Sequence, residues 1–524
     1  MEIDTEKLET TLSRSEERVS ISIESDSTVK ALRDSVLAGA FFGSSHSRAA
    51  ALLDKTISGL CPTLDTWFGT EAESLHCNPS LLTARLDRDI AIIDRMISHQ
   101  LDKILHHPRL RRLEGSWRGL AWLASHTPLS KQLKLRVLTA SWLEVCRDLE
   151  RAVEFDQSHL FQRIHEDEFG IAGGEPYSLL VADYEVRHKP SAESTTDDVS
   201  ALSSLTSIAA AAFAPIVIGA SPALLGVDHF SDLSGLVDPA SIMSTIEFNR
   251  WNRLCTLPDA RFMAVTMPRI LMRIPWQENA YAHRSFCYQE RIKDVSDRVS
   301  ATAGYLVAAC AIRAFEAYAW PADIRGYDID RVGGGVIESL PTIAFSVGLA
   351  DGFGRTSLDV ILTDQQERIL VSAGLLPICS LPYGGETLIG AARSLHTDTS
   401  IYIGPNAPAV SINSRISSLF NNVICVSRFA HYVRIMGRDM TGSFKSAEEI
   451  QTRLQSWLIG YTNSNTSAGP ETKARYPLRE ASISVDEKPG NPGVFSCIIH
   501  LQPHFQLDDV SVSFQLVTEI VSSS

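Results

Sequence analysis

The sequence predicts a mixed α/β protein built from more than one domain. Three observations lead there: one long amphipathic helical period near residue 90, short apolar runs alternating with helical stretches through the middle, and period-two alternation in the last 45 residues. At 524 residues the chain has room for about three units of ordinary size. The arrangement read from the sequence is an N-terminal arm over 1–60, a mixed α/β core over 61–400, and a C-terminal domain over 401–524.

The arm comes first. Met1 to Lys30 holds eight acidic and four basic residues and one short alternating run, in which Val19, Ile21 and Ile23 share a face, so it cannot make a core alone. The most regular helix follows from Ala84 to Leu105, where Leu86, Ile90, Ile93, Ile97, Leu101 and Ile104 step by three and four, with Thr83 as N-cap and Pro108 as stop. A second helical face runs through Trp142, Cys146, Leu149 and Val153. Apolar runs at Tyr177 to Ala182, Ile216 to Ala220, Phe262 to Met267 and Thr342 to Leu349 read as strands, interleaved with helices such as Ala301 to Tyr318. Pro190 to Ser200 reads as a polar loop. At the C-terminus, Ala481 to Asp486 and Val494 to Leu501 flank the turn-rich KPGNPG as a hairpin. Val510, Val512, Phe514 and Leu516 then line one face of a last strand, which so near a free end is suited to sharing with a neighbour's sheet.

Composition narrows the function. With 48 basic against 62 acidic residues the net charge is −14, the wrong sign for a surface that binds nucleic acid or anionic lipid. Val199 to Val227 carries no charge, but Pro215, Gly219 and Pro222 divide it into a small-residue helix and a strand, so membrane insertion is not expected. Nine cysteines without a C-x-x-C pair, and an acidic N-terminus without a signal peptide, point to a reducing cytoplasm.

Catalytic motifs are sparse. The sequence holds no Gly-Lys dipeptide and so no Walker A loop, and Ser221 in GASPAL lacks the second glycine of a nucleophile elbow. His165-Glu166-Asp167-Glu168 is the best acid/base candidate, but it lacks a spaced histidine pair and reads better as a solvated charge run. The alternative function, a cytosolic α/β enzyme, would use His165, Glu166 or Glu168. His106 and His107 read as helix-end residues facing terminal carbonyls, and Trp117, Arg118 and Trp122 as a core and ion-pair cluster. No catalytic, cofactor or metal residue is assigned.

Several runs resemble one family. IDRMISHQLDKILHHPRLRRLEGSWRGLAWL (Ile93 to Leu123), with His106, His107, Pro108, Trp117 and Arg118, is similar to a segment of the large subunit of the type VI secretion contractile sheath, the TssC/VipB family. FDQSHLFQRIHEDEFGIAGGEPYSLLVADYE, DARFMAVTMPRILMRIPW and VSRFAHYVRIMGRD, the last with Arg428, Phe429, His431 and Tyr432, follow in the family's order, and the resemblance covers roughly 50 to 520. It implies a structural, non-enzymatic subunit of a cytoplasmic helical polymer. The implied partners are a small sheath subunit (TssB/VipA-like), further copies in the polymer, an inner-tube protein (Hcp-like), the baseplate, and a sheath-recycling AAA+ ATPase reached through the small subunit.

Overall fold

The computed structural model describes residues 36–37, 67–68 and 78–521, except 129, 131, 170, 172, 193, 277–285, 287, 294, 327–332, 345–354, 382–384, 399–409, 411–413, 441–446, 466, 488–493 and 505–513. Two compact units result, Met1–Asp102 with Gln277–Gln289, and Lys103–Trp276 with Glu290–Ser524.

The first unit is organised by helix α1 (Pro79–Leu105), whose last turn belongs to the second unit. The start is earlier than the sequence suggested. Asn78 accepts from the Leu81 amide at 3.4 Å and Pro79 takes the first helical position, so an Asn-Pro pair opens the helix, while Thr83 lies inside it and donates to the Pro79 carbonyl at 2.9 Å. Phe68 is buried against Trp67, Leu82 and Leu86, and the Trp67 indole donates to the buried Asp89 at 3.1 Å. The expected apolar stripe is mostly half-buried, and Ile90 and Ile104 are half exposed.

The second unit begins with α2 (Pro108–Ser125) and α3 (Trp142–Arg151). The Ser141 hydroxyl and Glu144 close a capping box at the start of α3. This helix stops at Arg151, and Val153, expected on its apolar face, is 87% exposed because the backbone has already left the helical path at Ala152. A parallel sheet then forms from β1 (Leu180–Val186), β2 (Ile216–Ala220), β3 (Met263–Met267) and β4 (Leu376–Pro377), hydrogen-bonded in that order. The first strand lies later than the predicted Tyr177–Ala182 run. The helices of this layer are α4 (Asp198–Ala212), α5 (Asn249–Thr256), α6 (Gly304–Tyr318) and α7 (Asp364–Ser372). The polar loop is therefore shorter than expected, since Asp197 caps α4 and the helix begins at Asp198.

Strand alternation explains the layering. Ile216, Ile218, Met263 and Val265 face one core with Leu202, Leu205 and Ile208 of α4, while Val217 and Ala264 face the other with Leu306, Val307 and Cys310 of α6. Both faces of the sheet are covered, as a parallel sheet requires. Close approach has a price in side-chain size: a Cβ on Gly119 of α2 would sit 2.7 Å from the Tyr305 ring, so only glycine allows that contact.

The C-terminal part packs α8 (Phe420–Met440), α9 (Ala447–Ile459) and α10 (Pro470–Arg475) with an antiparallel sheet of β5 (Leu478–Glu487), β6 (Val494–Pro503) and β7 (Phe514–Val521). Ile483, Val485, Cys497, Ile499 and Leu501 form its buried face, against Ile450, Leu454 and Leu458 of α9.

Candidate functional site

Helix α8 carries four of the residues singled out in the sequence, and the structure gives each a distinct neighbour. Phe429 is buried and stacks on Trp320 with ring centroids 4.1 Å apart. The Arg428 guanidinium lies 4.4 Å from the Phe315 ring centroid and 4.9 Å from that of Tyr432, whose hydroxyl accepts from Arg428 at 2.6 Å. His431 is buried and meets the Ala212 carbonyl, at the end of α4, at 3.0 Å; a carbonyl only accepts, so Nε2 carries the proton. Burial lowers the His431 pKa to about 4, against the raising effect of that hydrogen bond, so it is a neutral imidazole.

The His106-His107-Pro108 run is a junction between two helices. His107 Nδ1 accepts from the Arg109 amide at 3.3 Å and caps α2, with Pro108 at its first position. This corrects the expectation of a contact with terminal carbonyls: the ring serves the start of the next helix. His106 Nε2 lies 3.2 Å from Glu290 Oε1. Glu290 also takes two hydrogen bonds from the buried Arg273, whose Nε donates to Glu114 at 2.8 Å, and Glu114 accepts from Arg118 at 2.7 Å. Burial alone would raise the Glu290 carboxyl, but Arg273 and the Trp276 amide hold it below the ordinary carboxylate value. Arg118 thus joins an ion-pair network, whereas Trp117, expected in the core, is 59% exposed. Helix phase is the reason, because Gly115, Gly119 and Leu123 form the buried face of α2 and Trp117 points away from it, beside Leu113, which is also exposed.

His165 to Glu168 is not a simple solvated run. Gln162–Glu166 forms a π-helical turn, and His165 is inserted between Phe161, stacked at 4.7 Å, and Phe169 at 5.0 Å. Burial lowers its pKa to about 4, helped by Arg434. Glu168 is buried, paired with Arg136 and accepting the Glu175 amide at 2.7 Å; Glu166 is exposed and Asp167 pairs with Arg163 at 3.2 Å. Of the four residues His165 is a packing group, which its spacing of four from both Phe161 and Phe169 could have signalled, and Glu168 is a buried, ion-paired carboxylate.

At the carboxyl ends of the parallel strands, where open α/β sheets hold ligands, Glu185 and Arg269 form a two-pronged ion pair, with Nη2 to Oε2 at 2.7 Å. Among the described residues no group of three or more His, Cys, Asp or Glu could hold a metal, and no helix is long and apolar enough to cross a membrane. The six described cysteines are free and buried, and burial pushes the thiols of Cys146, Cys255, Cys310, Cys425 and Cys497 up to about 12.

The last strand lies at Phe514–Val521, a few residues beyond the Val510–Leu516 run expected, and pairs with β6 of its own chain, Phe514 opposite Leu501 and Leu516 opposite Ile499. Among the described residues no strand pairs with the outer edge of β7. Val510, Val512 and the arm residues Val19, Ile21 and Ile23 lie outside the described residues.

Comparison with known proteins gives the same direction throughout. Residues 87–396 match the VipB family described as the EvpB/VC_A0108 tail sheath N-terminal domain, and residues 409–520 match the tail sheath gpW/gp25-like domain of the same group. The chain is 32% identical to the type VI secretion system sheath protein TssC1 of Pseudomonas aeruginosa over 458 residues, which is 86% of this chain and 89% of that protein. With family matches over both parts of the chain and a relative aligned along most of its length, the chain belongs to the VipB/TssC family of type VI secretion sheath proteins.

Proposed function

We propose that this chain is the large subunit of a contractile sheath, assembling with a small TssB/VipA-like subunit into a cytoplasmic helical polymer around an Hcp-like inner tube. Contraction of that polymer drives the inner tube outward. The observation that carries the reading is the match to sheath domains along both parts of the chain. The surface supports it: Leu113 and Trp117 on α2, and the outer edge of β7, which no strand among the described residues pairs with, are the kind of surface an assembled polymer covers. Strands added at such an edge give main-chain hydrogen bonds that survive rigid-body rotation of the subunits.

In this reading the arm of residues 1–60 tethers neighbours, Val19, Ile21 and Ile23 supply a strand to a shared sheet, and the C-terminal domain of 401–524 receives it. The baseplate and a recycling AAA+ ATPase, reached through the small subunit, are the further partners. The subunit works mechanically and not as an enzyme, with the energy for contraction stored at assembly. Deleting Val510 to Ser524 tests the shared sheet. The expected result is retained pairing with the small subunit by pull-down and loss of long tubes in micrographs; normal tubes would refute the inter-subunit role.

A further inference from the structure

Between α2 and α3 the chain crosses residues 133–140 (LKLRVLTA) with no helix, turn or bend. Residues 134–139 are all exposed, and among the described residues none of their main-chain amides and carbonyls takes part in a hydrogen bond. Main-chain bonds resume only at the two ends, where the Leu133 amide donates to the Ser130 carbonyl at 3.4 Å and the Ala140 carbonyl accepts from the Tyr184 hydroxyl of β1 at 2.5 Å. The stretch is nevertheless held in place. Lys134 pairs with Glu175, while Arg136 pairs with the buried Glu168 and donates to Glu175 at 3.2 Å and to the Tyr177 hydroxyl at 3.3 Å. Tyr177 precedes β1 and Tyr184 lies in it, so the stretch runs beside the edge strand of the parallel sheet, in the same direction.

Alternation sorts the side chains. In an extended chain successive residues point to opposite faces, so with Lys134 and Arg136 turned in to the carboxylates, Leu135 and Val137 turn outward. They are 43% and 58% exposed, and Leu138 at the far end is 64% exposed. An exposed edge is ordinarily protected by an outward lysine, a proline or a bulge. This one has no proline, and both of its cations are engaged in inward ion pairs. An unpaired main chain, apolar on its outer face and fixed in position, is a template for one more strand, because only a strand offers donors and acceptors at the matching repeat.

We propose that residues 134–139 are the edge to which the small sheath subunit adds a β-strand, one with apolar side chains at alternate positions to cover Leu135 and Val137. The identity of that partner rests on the sheath reading. A second copy of this chain is the poorer occupant: the antiparallel register that sets Leu135 opposite Val137 also sets Arg136 against Arg136, between chains that each carry a net charge of −14.

The test is hydrogen–deuterium exchange of the full-length chain, read on peptides spanning residues 133–140, alone and with a TssB/VipA-like small subunit. Alone, these amides should exchange fast at every protein concentration. In the complex about three of the amides of residues 134–139, those facing the added strand, should slow at least tenfold. Successive amides face opposite edges of a strand, so at least one of Val137→Pro and Leu138→Pro should weaken capture of the small subunit at least tenfold, while Val137→Thr keeps it within a few-fold. The melting temperature of the chain alone should stay unchanged in all three, since both positions are in solvent. Association of the two proteins with residues 133–140 unprotected, or with capture unaffected by either proline, would overturn the proposal and leave the sheath reading standing. Protection already present in the chain alone would also overturn it, rising with concentration if a second copy fills the edge and independent of concentration if another segment of this chain does. Failure of the two proteins to associate at all would count against the sheath reading itself, and this proposal falls with it.

Discussion

His431 on α8 hydrogen-bonds the Ala212 carbonyl at 3.0 Å, joining residues 219 positions apart in sequence. Ala212 is the last residue of α4, and Phe213 beyond it takes a left-handed conformation with φ 49°, so the imidazole satisfies a carbonyl that the helix itself leaves open. This contact fixes the C-terminal helix against the α/β layer.

Acid should therefore weaken the fold in a defined window. His431 and His165 both have folded pKa values lowered from 6.5 to about 4, so the unfolded chain binds more protons than the folded one between those values. Their contribution is complete above about pH 6.5 and is lost as pH falls toward 4. For the buried His431 the full span is on the order of 3 kcal/mol; half-buried His165 contributes less. Thermal melting from pH 7 to pH 4 should show a steady decline, shallower in His431→Gln once compared with its own value at pH 7. A flat profile across that window would contradict the buried, neutral state of these rings.

Phe429→Ala should cost about 3 to 5 kcal/mol, because it empties a closed site against Trp320, Trp457 and Tyr461. Chemical denaturation checks this directly.

Trp117→Ala should change the stability of the unassembled chain by no more than about 0.5 kcal/mol, since the ring is mostly in solvent. Any larger effect belongs to assembly. A melting temperature lowered as far as that of Phe429→Ala would show that Trp117 is a core residue after all.

Glu290→Ala should destabilise by about 3 to 5 kcal/mol, as it strands the buried Arg273 and opens the network reaching Glu114 and His106. Pairing this variant with Arg273→Met should recover part of the loss, since the orphaned charge is removed together with its partner.

These contrasts show what the sequence could and could not reveal. The long helix, the parallel strands at Ile216 and Met263, and the C-terminal hairpin were legible because each repeats a period that its own backbone geometry imposes. Trp117 was misplaced because apolar character marks a surface that can be buried, without saying whether its own chain buries it. His165 and Glu168 were misread as a solvated run because a π-helical turn changes which residues share a face, and the partners Arg136 and Glu175 come from other segments.

Electron microscopy of the full-length chain co-expressed with a TssB/VipA-like small subunit tests the central claim most directly. The sheath reading predicts long hollow helical tubes that contain both proteins and are absent when either is expressed alone. Discrete, soluble particles of this chain that neither bind the small subunit nor polymerise with it would contradict it.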